Sequence, residues 1–222
     1  MGGIGILLLL IFAAALPIIV VYLVFRAKKS AVTLPWFLAA IAAGVISVSA
    51  ASLLQYLFFS PDRGIQGGLW PVFFGVFVRI AFVEEFSRLL TLIPLFMLVR
   101  RNQQNKMEGG FAAALGLSAG LGFAAMENAF YGMADIDITL LRGFTAAPLH
   151  AACGIRAGMA VFLWRQRPVK AFCLFAFAVL IHGAYNLMII SPALPSILAA
   201  AVAFTALFGS LHFLKTEPKG LD

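Results

Sequence analysis

Glu84 and Glu85 stand side by side, with Arg88 one helical turn further on, inside an apolar stretch from about Trp70 to Val99 that is long enough to cross a bilayer. An ionisable side chain at such depth costs roughly 2.5–3.5 kcal/mol on insertion scales, so a role that offsets the cost is expected of it. Spaced by four, Glu84 and Arg88 share one helix face, and Glu85 lies within a turn of Arg88. Arg88 can hold one carboxylate ionised. The other, near a like charge and in low dielectric, is then available as a general base or acid.

The remaining polar groups within segments of bilayer length are Arg79, the pair Glu127 and Asn128, the pair His150 and Arg156, and the pair His182 and Asn186. His182 and Asn186, four apart, present an imidazole and an amide to one side of their helix. Counting roughly 1.5 Å per residue from the outer ends of the segments puts His150 and His182 about 12 Å deep, Glu127 about 9 Å and Glu84 about 20 Å. The segment bearing Glu84 is longer than a bilayer requires, so a projecting outer end would bring Glu84 level with the others. A hydrogen-bond network between helices accounts for any one of these residues. Seven of them, Glu84, Glu85, Arg88, Glu127, His150, His182 and Asn186, are read together as one functional site.

The elements that must position them are transmembrane helices. Apolar residues make up 63% of the 222-residue chain and charged residues 11%, in long apolar runs that exclude a soluble domain. Seven spans are expected, at roughly 3–25, 34–59, 70–99, 109–133, 142–164, 170–190 and 196–214. The fold class is thus all-α and polytopic, a single transmembrane domain over 1–222. Residues 3–69 and 196–214 are expected to be scaffold, and 70–190 a four-helix catalytic core. Arg26, Lys28 and Lys29, then Arg100, Arg101 and Lys106, then Arg165, Arg167 and Lys170 fall in alternate connections, while the others hold Asp62, Arg63, Asp135 and Asp137, with Arg142 at the border. Because basic residues stay on the cytoplasmic side, the N-terminus is expected outside and the C-terminus in the cytoplasm. The net charge of +7 then reflects topology and anionic headgroups, not nucleic-acid binding. Cys153 and Cys173 lie in apolar segments and imply no disulfide. The first segment lacks a basic leader and reads as a retained span.

Val83-Glu84-Glu85-Phe86-Ser87-Arg88 resembles the E-E-x-x-K/R motif of the PrsW family of intramembrane proteases, which is related more distantly to the CAAX prenyl endopeptidases and bacteriocin-immunity proteins. Three further strings follow in that family's order. Gly122 to Asn128 is similar to its G-F-x-x-x-E-N element, Arg142 with His150 to its R-x(7)-H element, and His182 to Asn186 to its H-G-x-x-N/D element. Arg88 stands where Lys is commoner, and a group that stays charged anchors a carboxylate or carbonyl but does not shuttle protons. The resemblance implies hydrolysis of a peptide bond in or near the membrane of a single-span protein such as an anti-sigma factor, in the cell membrane of a prokaryote. It implies Glu84 or Glu85 as the base that activates water, His150 or Glu127 sharing that water, and His182 with Asn186 stabilising the oxyanion.

Several other readings use the same residues. Glu127, His150 and His182 can supply three ligands to zinc, but no H-E-x-x-H pair exists, and a metal-free glutamate mechanism is the expectation. Gly116-Leu117-Ser118-Ala119-Gly120 fits G-x-S-x-G, yet no strand precedes it, and its glycines also make a helix-packing face. Buried carboxylates and histidines also make proton relays, so a proton-coupled transporter is the alternative from another class. Haem held between His150 and His182 is a further one.

Overall fold

The computed structural model describes residues 3–59, 68–102, 107–132, 136–191 and 195–215; Asp62, Arg63, Lys106 and Asp135, used above to orient the chain, lie outside these. Every regular element is helical. In chain order they are α1 (Gly3–Ala27), α2 (Leu34–Phe58), α3 (Leu69–Phe74), a π-helical segment (Gly75–Phe82), α4 (Val83–Asn102), α5 (Gly109–Gly132), α6 (Ile136–Leu163), α7 (Pro168–Ile190) and α8 (Ser196–Ser210), which ends in a 3₁₀ turn at Leu211–Lys215. The backbone stays right-handed through Phe74, Gly75 and Val83, so α3, the π segment and α4 make one rod. The described residues therefore form seven helical rods, and five candidate spans are long and apolar enough to cross a membrane.

Two rods depart from the expected spans in ways that matter to the site. The rod 69–102 is roughly 50 Å long and α6 roughly 42 Å, against a hydrocarbon core of about 30 Å, so both must project. Residues 136–141, read from the sequence as polar connection, are instead the first turns of α6. Counted from Ile136, His150 sits about 21 Å along its helix and matches Glu84, fifteen residues from Leu69. The π segment was not foreseen. Its wider turn resets the helix face immediately before Glu84 and Glu85, a feature that recurs at functional sites.

Small residues draw the rods close. A Cβ added to Gly116 would lie 2.2 Å from the Gly154 carbonyl oxygen, and one on Gly158 would lie 2.4 Å from that of Ala112. Glycine alone permits this approach of α5 to α6. Gly44 and Gly122 do the same for α2 and α5, facing the carbonyls of Ala119 and Ile41. Between lipid-solvated helices there is little hydrophobic drive, so backbone proximity and packing carry association. α5 and the Phe144–Leu163 part of α6 are the most enclosed spans, whereas α7 and α8 present most of their surface outward.

This packing makes a direct prediction. Gly154→Val places a side chain against backbone that cannot yield, and is expected to lower the thermal unfolding midpoint in detergent by an overpacking cost on the order of 1–3 kcal/mol. Gly209→Ala in α8, where an added Cβ meets nothing within 4 Å, is expected to leave that midpoint unchanged or raise it.

Candidate active site

Arg88 is at the centre. It is fully buried, and its guanidinium donates through Nη1 to Glu85 Oε2 and through Nη2 to His150 Nδ1 at 3.2 Å. The ring of Phe123 lies under it, 4.6 Å from centroid to Cζ, and stacks obliquely on His150. A guanidinium has no acceptor, so His150 Nδ1 must present its lone pair and Nε2 must carry the proton. That proton is donated to Glu127 Oε2 at 2.7 Å. Glu127 is held in turn by Arg142 Nη2 at 2.8 Å, and Arg142 Nε donates to Asn128 Oδ1 at 3.2 Å. A single chain of donors and acceptors thus links α4, α6 and α5.

The second arm runs to α7. His182 Nδ1 donates to Glu85 Oε1 at 2.8 Å, so both oxygens of Glu85 are occupied, one by a guanidinium and one by an imidazole. Glu84 differs. Its Oε2 approaches His182 Nε2 at 3.4 Å without the geometry of a hydrogen bond, and it is a buried oxygen with no partner among the described residues. Two neighbouring residues of one type are therefore in opposite states: Glu85 is locked and Glu84 is open. Asn186 lies one turn beyond His182, half-buried, its amide free of hydrogen bonds among the described residues. All seven residues singled out in the sequence come from the four rods that meet here, with Glu84, Glu85, Arg88, His150 and His182 in direct contact and Glu127 joined through His150.

Three residues at the site carry more weight than their sequence context suggested. Arg142 looked like a border residue beside the outer connection, yet it neutralises Glu127 and lies over the ring of Tyr131 at 4.0 Å. Its place eight residues before His150, in one of the strings already singled out, was the available signal. Gly120 and Gly183 act by having no side chain. A Cβ on Gly120 would lie 2.0 Å from the carbonyl oxygen of His150, and one on Gly183 would lie 2.3 Å from the Phe77 ring of the π segment. They set how near His150 and His182 come to the rest.

The competing chemistries can be weighed on this geometry. Glu85, His150 and His182 offer ligand atoms that all lie within 4.8 Å of one another, a set with Glu85 in place of the Glu127 expected from the sequence. A metal ligand must present a lone pair. On Glu85 Oε2 and His150 Nδ1 that pair faces Arg88, and His182 Nδ1 faces Glu85 as a donor. As arranged, the set does not fit a resident metal, because a guanidinium already serves as its cation. Haem fits no better, since the two imidazoles meet edge to face with centroids 5.1 Å apart and leave no slot for a macrocycle. Ser118, fully buried, donates its hydroxyl to the Ala114 carbonyl of its own helix at 2.8 Å, and Gly116 and Gly120 on either side are packing contacts.

Substitution separates these roles. Ser118→Ala is expected to leave proteolysis of a membrane reporter unchanged. Arg142→Met, which strips Glu127 of its neutralising partner, is expected to lower the cleavage rate by about tenfold or more, with Arg142→Lys recovering part of it. Rates normalised to folded protein decide both.

Comparison with known proteins identifies the family. A family model described as PrsW family intramembrane metalloprotease matches residues 32–211, which takes in every residue of the site and the rods that carry them. Searches of curated proteins and of solved structures give no match. With about four-fifths of its length covered, the chain belongs to the PrsW family of intramembrane proteases and is a multi-pass membrane peptidase.

Proposed function

We propose that this protease cleaves a single-span membrane protein, of the kind exemplified by anti-sigma factors, with a water activated by Glu84. The observation that carries the proposal is the asymmetry of the two glutamates. A base needs a lone pair free to face water, and Glu84 Oε2 has one while Glu85 is bound at both oxygens. Water placed between Glu84 and a substrate carbonyl gives its proton to Glu84 as its oxygen attacks the carbonyl carbon. The resulting oxyanion is met by the Asn186 amide and by Nε2–H of His182 in its doubly protonated form, oriented because Glu85 accepts from Nδ1–H. Collapse breaks the C–N bond, and Glu84 returns the proton to the departing amine.

Arg88 and the pair Glu127 and His150 position these groups and touch the reacting atoms through them. A helical peptide bond is shielded by its own hydrogen bonds, so the scissile segment must be unwound, which favours a juxtamembrane site on the substrate. The alternation of basic connections supports an N-terminus outside the cell membrane and a site reached from the outer leaflet. Oxyanion stabilisation by His182 and Asn186 requires no further cofactor.

On a tagged single-span reporter in vesicles, Glu84→Gln is expected to reduce cleavage by about 10²–10⁴-fold, the range for loss of a general base. Asn186→Ala is expected to cost about 10²–10³-fold, the range for an oxyanion donor. Undiminished cleavage by a well-folded Glu84→Gln, Glu85→Gln double variant rejects the reading. Proton flux without cleavage in the wild type would instead mark a transporter.

The family's description favours a metal-dependent version as the second reading, in which an ion would have to take Glu85 and His150 from Arg88. Elemental analysis of the purified protein decides between them. The expected result is no stoichiometric transition metal and cleavage that survives chelators; one zinc per chain, lost together with activity, would establish the second.

A further inference from the structure

Away from the site, α4 and α7 stand apart and leave between them a groove of about 700 Å³, within the size range of ligand sites. Its walls are apolar, with Phe86, Ile93 and Met97 on α4 and Phe172 and Phe175 on α7, and Ala160 of α6 belongs to its floor. One end is different. Arg100, Trp164 and Arg165 line it, and among the described residues neither arginine is paired with a carboxylate. Arg100 is anchored by a bond from Nη2 to the Phe162 carbonyl at 3.3 Å, which fixes its guanidinium at the groove, and Arg165 is exposed. On the side nearest Glu84, Phe82 stacks on Phe86 and meets Phe175 edge-on at 5.8 Å, so an aromatic bridge joins the two walls.

We propose that this groove is a binding site for an anionic phospholipid, with its phosphate between Arg100 and Arg165 and its acyl chains along the α4–α7 walls. Charge and length both point to a lipid. Two guanidiniums with no carboxylate partner among the described residues, beside an interfacial tryptophan, complement a phosphate at the level of the headgroups, and basic pockets between helices take anionic heads. From Arg100 to Phe86 is fourteen residues, roughly 21 Å, which matches one leaflet with its headgroups at about 20–22 Å. A transmembrane helix of another protein needs a trough open at both ends, whereas the Phe82–Phe175 bridge joins the walls here. The site is independent of the hydrolytic reading, because none of its lining residues belongs to the Glu84–His182 cluster.

The full chain is reconstituted in vesicles of phosphatidylcholine with an equal share of phosphatidylglycerol, released into mild detergent, and its retained lipid identified by native mass spectrometry. The wild type is expected to keep one phosphatidylglycerol in preference to phosphatidylcholine, and inorganic phosphate is expected not to displace it. Since a basic residue near the surface contributes about fivefold, Arg165→Gln is expected to lower that preference roughly fivefold and Arg100→Gln with Arg165→Gln roughly twenty-five-fold. Arg165 is exposed, so the single variant reports even where the double variant fails to fold. Lys28→Gln with Lys29→Gln, remote cations in sequence, should leave the preference intact. Equal retention of the two lipids, an unchanged preference in Arg165→Gln, or an equal loss in the Lys28 and Lys29 variant would overturn the proposal. Displacement of the lipid by the reporter substrate would overturn it in favour of a substrate-docking groove.

Discussion

A guanidinium that cannot give up its charge, placed where no solvent reaches it, constrains everything around Arg88. Leaving such a cation unpaired would cost several kcal/mol, so the surrounding helices must bring it acceptors. They bring a carboxylate from its own helix, an imidazole nitrogen from α6 and an aromatic face from α5. Each partner is then constrained in turn. His150 is confined to one tautomer, which aims its proton at Glu127, and Glu127 requires a second cation, supplied by Arg142. The orientation of groups on three helices follows from one side chain that stays charged.

Close backbone approach is the other half of this arrangement. Hydrogen bonds of 2.7–3.2 Å between side chains on different helices tolerate little error in helix position. Gly120 lets α5 approach the backbone of His150 itself, and Gly183 lets the π segment lean on α7 beside His182. Helix packing and site geometry are therefore the same constraint seen at two radii. The glycines of the G-x-S-x-G string belong to the packing, and the serine between them donates its hydroxyl to the Ala114 carbonyl of its own helix.

Much of the site was legible because a membrane interior makes polar residues conspicuous: Glu84, Glu85, Arg88, Glu127, His150, His182 and Asn186 stand out of a chain that is 63% apolar. Less legible were features that depend on where helices begin and how they turn. Residues 136–141 include Asp137 and look like connection, yet they extend α6 and bring His150 to the level of Glu84. The π segment over Gly75–Phe82 holds no proline, and its one charged residue, Arg79, does not mark it, yet it alters which face Glu84 presents. Nor does any sequence pattern distinguish Glu84 from Glu85, since the difference lies in partners that come from α7 and from within α4.

That difference is the basis of the proposed chemistry. Three carboxylates, Glu84, Glu85 and Glu127, face two guanidiniums, Arg88 and Arg142, so before any proton on an imidazole is counted the cluster carries one negative charge in excess. Two of the carboxylates are each matched to an arginine, and the excess falls on the third. Glu84 is the one without an arginine partner and with an unpartnered oxygen, and His182 Nε2 is its nearest polar neighbour at 3.4 Å. In the mechanism we propose, a single proton moving between water, Glu84 and substrate changes the charge of the cluster without disturbing either ion pair. Fixing two of three acidic groups in ion pairs is what leaves the third, with its unpartnered oxygen, available for the proposed proton transfer.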